Sequence, residues 1–164
     1  MDFFSDELWE EVAGSSLAVA VRESIWVYPF LETVHVIGLA LLFGAITTFD
    51  LRVLGLNREL SVSQLWHHVK PWVWTGFLMA VASGVLLFIG GAQDFATNPA
   101  VQVKLLLLLV AGVNAAVFET RLRATVATWD RDIAAPRAAR VAAGLSLVLW
   151  LSIMIAGRLI AYIK

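Results

Sequence analysis

Four long blocks of uncharged, apolar residues constrain this sequence more than any other feature. Residues 24–49 hold no charged side chain except Glu32, and residues 71–93 hold none. Residues 99–118 and 141–163 each hold a single cation. A helix needs about 20 apolar residues to cross the hydrocarbon core of a bilayer, and each block reaches that length. The sequence therefore predicts an all-α integral membrane protein, a bundle of four transmembrane helices.

The composition agrees with a membrane protein and excludes several other classes. Hydrophobic residues make up 60% of the chain and charged residues only 15%, whereas a soluble domain is nearer half apolar. The absence of cysteine excludes disulfides, thiolate metal sites and haem attachment through a CxxCH motif. No phosphate loop, nucleophile elbow or HExxH motif occurs. The lipid bilayer is the partner that the composition indicates, and nothing suggests a nucleic acid.

Capping and turn residues divide the chain into a short N-terminal segment and one transmembrane domain. An interfacial helix is predicted for residues 1–23, because Ser5 can cap it and Phe4 shares a face with later apolar residues. The transmembrane domain covers residues 24–164, and Asn98 followed by proline marks the start of its third helix. The four predicted helices cover residues 24–54, 63–91, 99–123 and 137–163.

Positive charge is concentrated in two of the predicted loops. Residues 50–70 hold three of the twelve Lys and Arg residues, and residues 119–140 hold five. Both loops lie on the same side of a protein with four spans. The positive-inside rule therefore predicts that these loops are cytoplasmic and that both termini lie on the outer, periplasmic side of a bacterial inner membrane.

Four ionisable side chains inside the predicted helices fall in one layer of the membrane. At 1.5 Å per residue, Glu32 and His35 lie roughly 9 Å and 13 Å inside the outer boundary. Lys104 and Arg158 lie roughly 8 Å and 6 Å inside it on other helices. The two cations could simply snorkel to the interface, but intramembrane ionisable groups otherwise mark functional sites. We therefore expect Glu32 to contact Lys104 or Arg158 within the bundle.

Histidines and other polar residues raise separate alternatives. His35 is too short to reach the interface and fits three roles: a hydrogen-bonded packing residue, a metal or haem ligand, or a proton-relay group. His67 and His68 lie roughly 20 Å from it along the membrane normal, so they cannot share one haem with it. Together with Asp50 they belong to an inner polar layer typical of a membrane interface. Asn114 lies roughly 7 Å inside the third helix and should hydrogen-bond to another helix.

Five stretches carry a resemblance to known membrane proteins: "YPFLETVHVIGLALLFG", "DLRVLGL", "PWVWTGFLMAVASGVLLF", "NPAVQVKLLLLLVAGVNAAVFETR" and "LSLVLWLSIMIAGRLIAY". Over about residues 22–162 the chain resembles an uncharacterised family of bacterial four-helix membrane proteins. More distantly, its layout resembles the copper-resistance-D-like group and the membrane protoporphyrinogen oxidases of the HemJ type. Those oxidases have a histidine in the first helix and a lysine opening the third, and they bind b-type haem. The matching residues here are His35 and Lys104.

The resemblance implies a porphyrin or metal site in the outer half of the bundle. On that basis His35 would supply an axial nitrogen to haem b, and Lys104 and Arg158 would neutralise its propionates. Glu32 would accept a proton from the imidazole or join the propionate cluster. Met154 lies near His35 in depth and could be a sixth ligand, although a methionine at such a position is usually part of the core.

Two other functions remain compatible with the sequence. The first is a cofactor-free accessory or structural subunit of a larger membrane complex, in contact with other subunits or with a second copy of this chain. Its seven tryptophans suit such lateral contacts. The second is a copper or small-solute permease. Copper transport fits less well, because three methionines and no cysteine are a poor ligand set for Cu(I). No pattern identifies a catalytic group, a substrate or a redox partner.

Overall fold

The computed structural model describes the backbone of residues 6–163 and the side chains of residues 8–163. Over this range every regular element is helical and no strand occurs, so the predicted all-α class is confirmed. In chain order the α-helices are α1 Asp6–Gly14, α2 Ser16–Glu23, α3 Val27–Leu54, α4 Val62–Gly90, α5 Ala92–Thr97, α6 Pro99–Val117 and α7 Arg137–Leu159.

Four of these helical segments are long and apolar enough to cross a membrane. They are α3, α4, α6 with the helical turns that follow it, and α7. The closest packing of these helices follows the order α4, α3, α7, α6, because α3 packs on both α4 and α7 and α7 packs on α6. The chain therefore forms the four-helix bundle of a multi-pass membrane protein, built from two helical hairpins, α3–α4 and α6–α7.

The N-terminal segment contains two short helices where the sequence predicted one. Ser15 separates α1 from α2, and its hydroxyl oxygen accepts a hydrogen bond from the Ala18 backbone N–H at 3.2 Å. Trp9 of α1 packs edge-to-face on Phe88 of α4, with ring centroids 5.5 Å apart. These helices therefore cover the end of α4. The predicted cap at Ser5 and the predicted apolar contact of Phe4 lie outside the described residues.

The helical turns that follow α6 extend it into the predicted loop. A π-helical turn, Phe118–Leu122, is followed by a 3₁₀ segment, Arg123–Thr128, whereas the sequence placed a loop from residue 124. The Trp129 indole N–H donates to the Thr125 hydroxyl at 3.0 Å, and the ring is only 2% exposed. Burial of this tryptophan explains why the chain keeps winding past the end of the apolar block.

Helices α3 and α4 cross closely at Gly38 and Gly76. A Cβ atom placed on Gly38 would lie 2.7 Å from the backbone nitrogen of Ala80. A Cβ placed on Gly76 would lie 2.6 Å from the backbone nitrogen of Leu42. Small residues at such positions let membrane helices approach closely, because lipid offers no hydrophobic driving force for their association. The two backbones are therefore in direct contact at this crossing.

A polar network joins the two helical hairpins at one end of the bundle. Arg52, in the last turn of α3, is 2% exposed and donates to the backbone carbonyl oxygens of Leu60 at 2.6 Å, Arg58 at 2.8 Å and Asp130 at 3.1 Å. The Asp130 carboxylate accepts from the Ser61 hydroxyl at 2.7 Å and from the Ser63 backbone N–H at 2.8 Å. We call these contacts the clasp.

The clasp marks one end of the bundle, which we call the clasp end. The end where α3 begins and α7 finishes is the terminal end. The largest apolar core lies beside the clasp, and its buried residues come from α3, α4, α7 and the segment between α6 and α7. They are Phe49, Val53, Val62, Val69, Val126, Trp129, Ala135, Ala139 and Ala143.

Alanine at either glycine of the α3–α4 crossing should destabilise the protein. Gly38→Ala or Gly76→Ala forces backbone atoms apart, and overpacking of this kind costs about 1–3 kcal/mol. Gly112→Ala is the matched control, because a Cβ at that position meets nothing within 4 Å. Unfolding of the three variants in mixed detergent micelles measures the difference. Equal stability of Gly38→Ala and Gly112→Ala would contradict the close backbone contact.

Stability at low pH should depend on Asp130. Burial raises the pKa of its carboxyl, but hydrogen bonds from Ser61 and Ser63 and the charge of Arg131 outweigh that effect and hold the pKa below its usual value. The contribution is therefore complete above the unfolded pKa of about 3.9 and is lost as the pH falls through the lower folded value.

Asp130→Asn should be less stable than the wild type at pH 7 by about 1 kcal/mol, and should lose less stability than the wild type on acidification. Thermal unfolding in mild detergent between pH 7 and pH 3 measures both effects. Asp94→Asn, which changes an exposed acid on α5, should behave like the wild type. Parallel pH profiles for Asp130→Asn and the wild type would show that the carboxylate does not stabilise the clasp.

Candidate functional site

His35 bridges α3 and α4 in the terminal half of the bundle. Its Nδ1 atom lies 2.9 Å from the carbonyl oxygen of Ala80 and 3.1 Å from the hydroxyl oxygen of Ser83. The Ser83 hydroxyl itself donates to the Met79 carbonyl oxygen one turn earlier on α4. The neighbouring helix therefore supplies hydrogen-bond partners to His35.

These contacts determine which ring nitrogen of His35 carries the proton. A carbonyl oxygen can only accept, so Nδ1 carries hydrogen and donates it to Ala80. In a neutral imidazole the other nitrogen, Nε2, then has a free lone pair. A backbone carbonyl that holds Nδ1–H is also the usual second contact of a histidine that ligates a metal through Nε2. The imidazole is therefore chemically suited to act as a metal ligand or as a proton acceptor through Nε2.

Gly84 makes room for the imidazole on α4. A Cβ at this position would lie 2.9 Å from His35 Cε1 and 3.3 Å from Nδ1. The crossing at Gly38, one turn along α3 from His35, brings α4 close enough for the ring to reach Ala80 and Ser83. The local sequence of α4 therefore positions the histidine in two ways. Ala80 supplies a hydrogen-bond acceptor, and Gly84 has no side chain that would displace the ring.

Lys104 lies on α6 and is partly buried. Its stem passes Gly157 of α7, where a Cβ would lie 3.5 Å from Nζ. Of the four residues predicted to share a layer, His35 and Lys104 are the two that are not exposed.

The other predicted members of that layer lie on the surface. The prediction that Glu32 contacts Lys104 or Arg158 is wrong for the described side chains, because no hydrogen bond or salt bridge joins Glu32 to either cation. Glu32 is exposed on α3. Arg158 is exposed as well, and its guanidinium donates to the Tyr162 hydroxyl at 2.7 Å and stacks over that ring at 5.1 Å. Met154 is 39% exposed, so it is not a core residue.

The geometry explains why Glu32 and Arg158 miss the interior. In the terminal half of α3 and at its middle, the buried positions are Leu31, Gly38 and Leu42, which define the face turned toward the other helices. Glu32 follows Leu31 by one residue, and successive residues on a helix are rotated by about 100°. Arg158 finds its partner, Tyr162, just beyond the end of α7, as a snorkelling side chain does.

The inner polar layer divides into exposed and internal groups. His67 and His68 are both exposed on α4. Asn114 donates to the Ala142 carbonyl oxygen of α7 at 3.0 Å, which confirms the predicted interhelical hydrogen bond. Asp50 is only 6% exposed, whereas the sequence placed it at the membrane interface. In the described part of the chain, no three His, Asp or Glu side chains are grouped closely enough to hold a metal ion.

Sequence reasoning missed Ser83, Gly84 and the burial of Asp50. Ser83 and Gly84 lie in an uncharged block where small residues are ordinary packing devices, so nothing in the sequence singles them out. Asp50 could have been noticed because it follows a stretch without ionisable residues, 36–49, and precedes Arg52 by two positions.

A scan against protein-family models and searches of curated proteins and solved structures find no match to this chain.

Proposed function

We propose that this protein binds b-type haem through His35 in the terminal half of the bundle and acts in electron transfer or porphyrin redox chemistry. The observation that carries the proposal is the Nδ1 contact to the Ala80 carbonyl oxygen at 2.9 Å, which leaves Nε2 free. An imidazole held in this way is prepared to ligate iron. The distant resemblance to the haem-binding HemJ-type oxidases, at His35 and Lys104, points the same way.

The residues present fit part of a haem site. His35 would be an axial ligand, and the Lys104 ammonium would pair with a propionate carboxylate. Arg158 and Glu32, both exposed, would act only at the rim of such a site, and Met154 would reach it only from the helix surface. When bound, haem supplies one-electron redox chemistry. The chain itself orients the imidazole through Ala80 and Ser83.

A second candidate function is a cofactor-free accessory subunit of a larger membrane complex. The hydrogen bonds that orient His35 also satisfy its Nδ1–H group. A purely structural role, in which the histidine joins α3 to α4, is therefore sufficient to explain these contacts. Large apolar side chains exposed along α6, such as Leu105, Leu106 and Leu109, would then contact lipid or neighbouring subunits. The two candidates differ in whether the purified protein is coloured.

Haem binding is tested by absorption spectroscopy of protein purified in mild detergent from haem-replete cells. The wild type should show a Soret band that sharpens and shifts on reduction, and His35→Ala should lose it while remaining folded. His67→Ala, which changes an exposed histidine of α4, should keep it. Gly84→Ala should weaken haem binding about 10- to 100-fold, because the added methyl displaces the imidazole from its orienting contacts.

Two outcomes would contradict haem ligation by His35. A colourless wild type, purified from cells with intact haem synthesis, would favour the accessory subunit. A Soret band that persists unchanged in His35→Ala would place any haem elsewhere. Gly112→Ala is the control for Gly84→Ala, because its added methyl meets no neighbouring atom.

We further propose that the protein lies in a bacterial inner membrane with the clasp end in the cytoplasm. Eight of the twelve Lys and Arg residues occur in residues 50–70 and 119–140, which contain the clasp and its flanking turns. The positive-inside rule supports that orientation. His35 would then lie in the periplasmic half of the membrane.

Reporter fusions test this orientation. A reporter active only outside the cytoplasm should be active when fused at the C-terminus and inactive when inserted near Asp132, an exposed residue of the loop before α7. Replacing Arg137 and Arg140 by Gln should weaken the preference, because it removes positive charge next to a helix end. The reverse pattern of activity would place His35 in the cytoplasmic half.

A further inference from the structure

Asp50 is a buried acid in the clasp half of the bundle, well away from His35. Its side chain is 6% exposed, and its Oδ2 atom is buried without a hydrogen-bond partner. The hydroxyl of Ser146 on α7 donates toward the carboxyl group. Burial of an unpaired carboxylate in an apolar core costs a large amount of free energy. The protonation state of Asp50 therefore needs a physical explanation.

Other polar side chains occur at a similar level of the bundle. The Thr47 hydroxyl, one turn before Asp50 on α3, is also buried without a hydrogen-bond partner. Asn114 of α6 donates to the carbonyl oxygen of Ala142, which lies one turn from Ser146 on α7. Polar side chains of three helices thus occur at one level of an apolar core. These groups can stabilise a neutral acid through hydrogen bonds, but they carry no charge to balance an anion.

No cation compensates Asp50 among the described side chains. Arg52, two residues further along α3, directs its guanidinium to three loop carbonyl oxygens. The charged or titratable residues in the clasp half of the elements packed around α3 are all exposed: His67, His68 and Lys70 of α4, Arg137 and Arg140 of α7, and Glu119 and Arg121 of the π-helical turn. On α2, Arg22 and Glu23 are exposed too and lie at the terminal end.

A bound metal ion would be an alternative source of positive charge, but too few ligands are present. Calcium takes six to eight oxygen ligands and magnesium requires six in an octahedron. Asp50, Thr47 and Ser146 offer four side-chain oxygens at most, and no further acid or histidine joins them in the described chain. A proton requires only one carboxylate oxygen.

We propose that Asp50 is a proton-binding site, a carboxylic acid that holds its proton inside the bundle at neutral pH and releases it in alkaline solution. The protonated carboxyl is neutral and needs no counter-charge, and Ser146 donates to its other oxygen. The proposal concerns a different site from His35 and stands whether or not haem binds there. Intramembrane acids of this kind are typical of proton relays.

Infrared difference spectroscopy tests the proposal on the full-length protein in lipid vesicles. The spectrum of the wild type minus that of Asp50→Asn, at neutral pH and without sodium, should contain the carbonyl stretch of one protonated carboxyl. That band should shift in D₂O and disappear as the pH is raised. Asp94→Asn, which changes an exposed acid, should leave the band in place.

A second variant covers the case in which Asp50→Asn fails to fold. Ser146→Ala removes the hydroxyl that donates to the carboxyl, so the band should persist at a shifted frequency. A wild-type spectrum without a protonated-carboxyl band, or with a band unaffected by Ser146→Ala and by Asp50→Asn, would overturn the proposal. A band that Na⁺ removes at constant pH would also overturn it, because Asp50 would then be a cation site.

Discussion

The crossing of α3 and α4 at Gly38 and Gly76 is the contact on which the candidate site depends. Lipid surrounds the helices with an environment as apolar as their own side chains, so burial of apolar surface does not hold them together. Close backbone packing takes over that role, and the two glycines allow it. The same approach lets His35 reach a backbone carbonyl of α4 across the interface. A bulkier crossing would separate the imidazole from its acceptor.

The two halves of the bundle satisfy their polar groups in different ways. In the terminal half, His35 has hydrogen-bond partners on α4 through Nδ1 and keeps its other ring nitrogen free. In the clasp half, Arg52 has three carbonyl partners, while Asp50 keeps one unpartnered oxygen in the core. One half thus offers a lone pair and the other a group that can hold a proton.

The sequence predicted where the helices lie along the chain better than it predicted which face of each helix is buried. The four apolar blocks define the spans by length alone, and Asn98 with the following proline marks the start of α6, where Asn98 Oδ1 accepts from the Ala100 N–H at 2.9 Å. A helix that is apolar all round shows no periodicity to separate its lipid side from its packed side. That is why Glu32 was predicted to lie inside the bundle and Asp50 at its boundary. Which side chains meet depends on backbone crossings that a single sequence does not display.

The clasp restricts the relative motion of the two helical hairpins at one end of the bundle. Arg52 and Asp130 tie the α3–α4 and α6–α7 hairpins together there, so a tilt of one hairpin against the other displaces the clasp end least. Since α3 has 28 residues, it is about 42 Å long, and a tilt of about 5° moves its far end by about 4 Å. Such a motion would change the distance between His35 and Lys104, which sit on different hairpins, and would leave the surroundings of Asp50 almost unchanged.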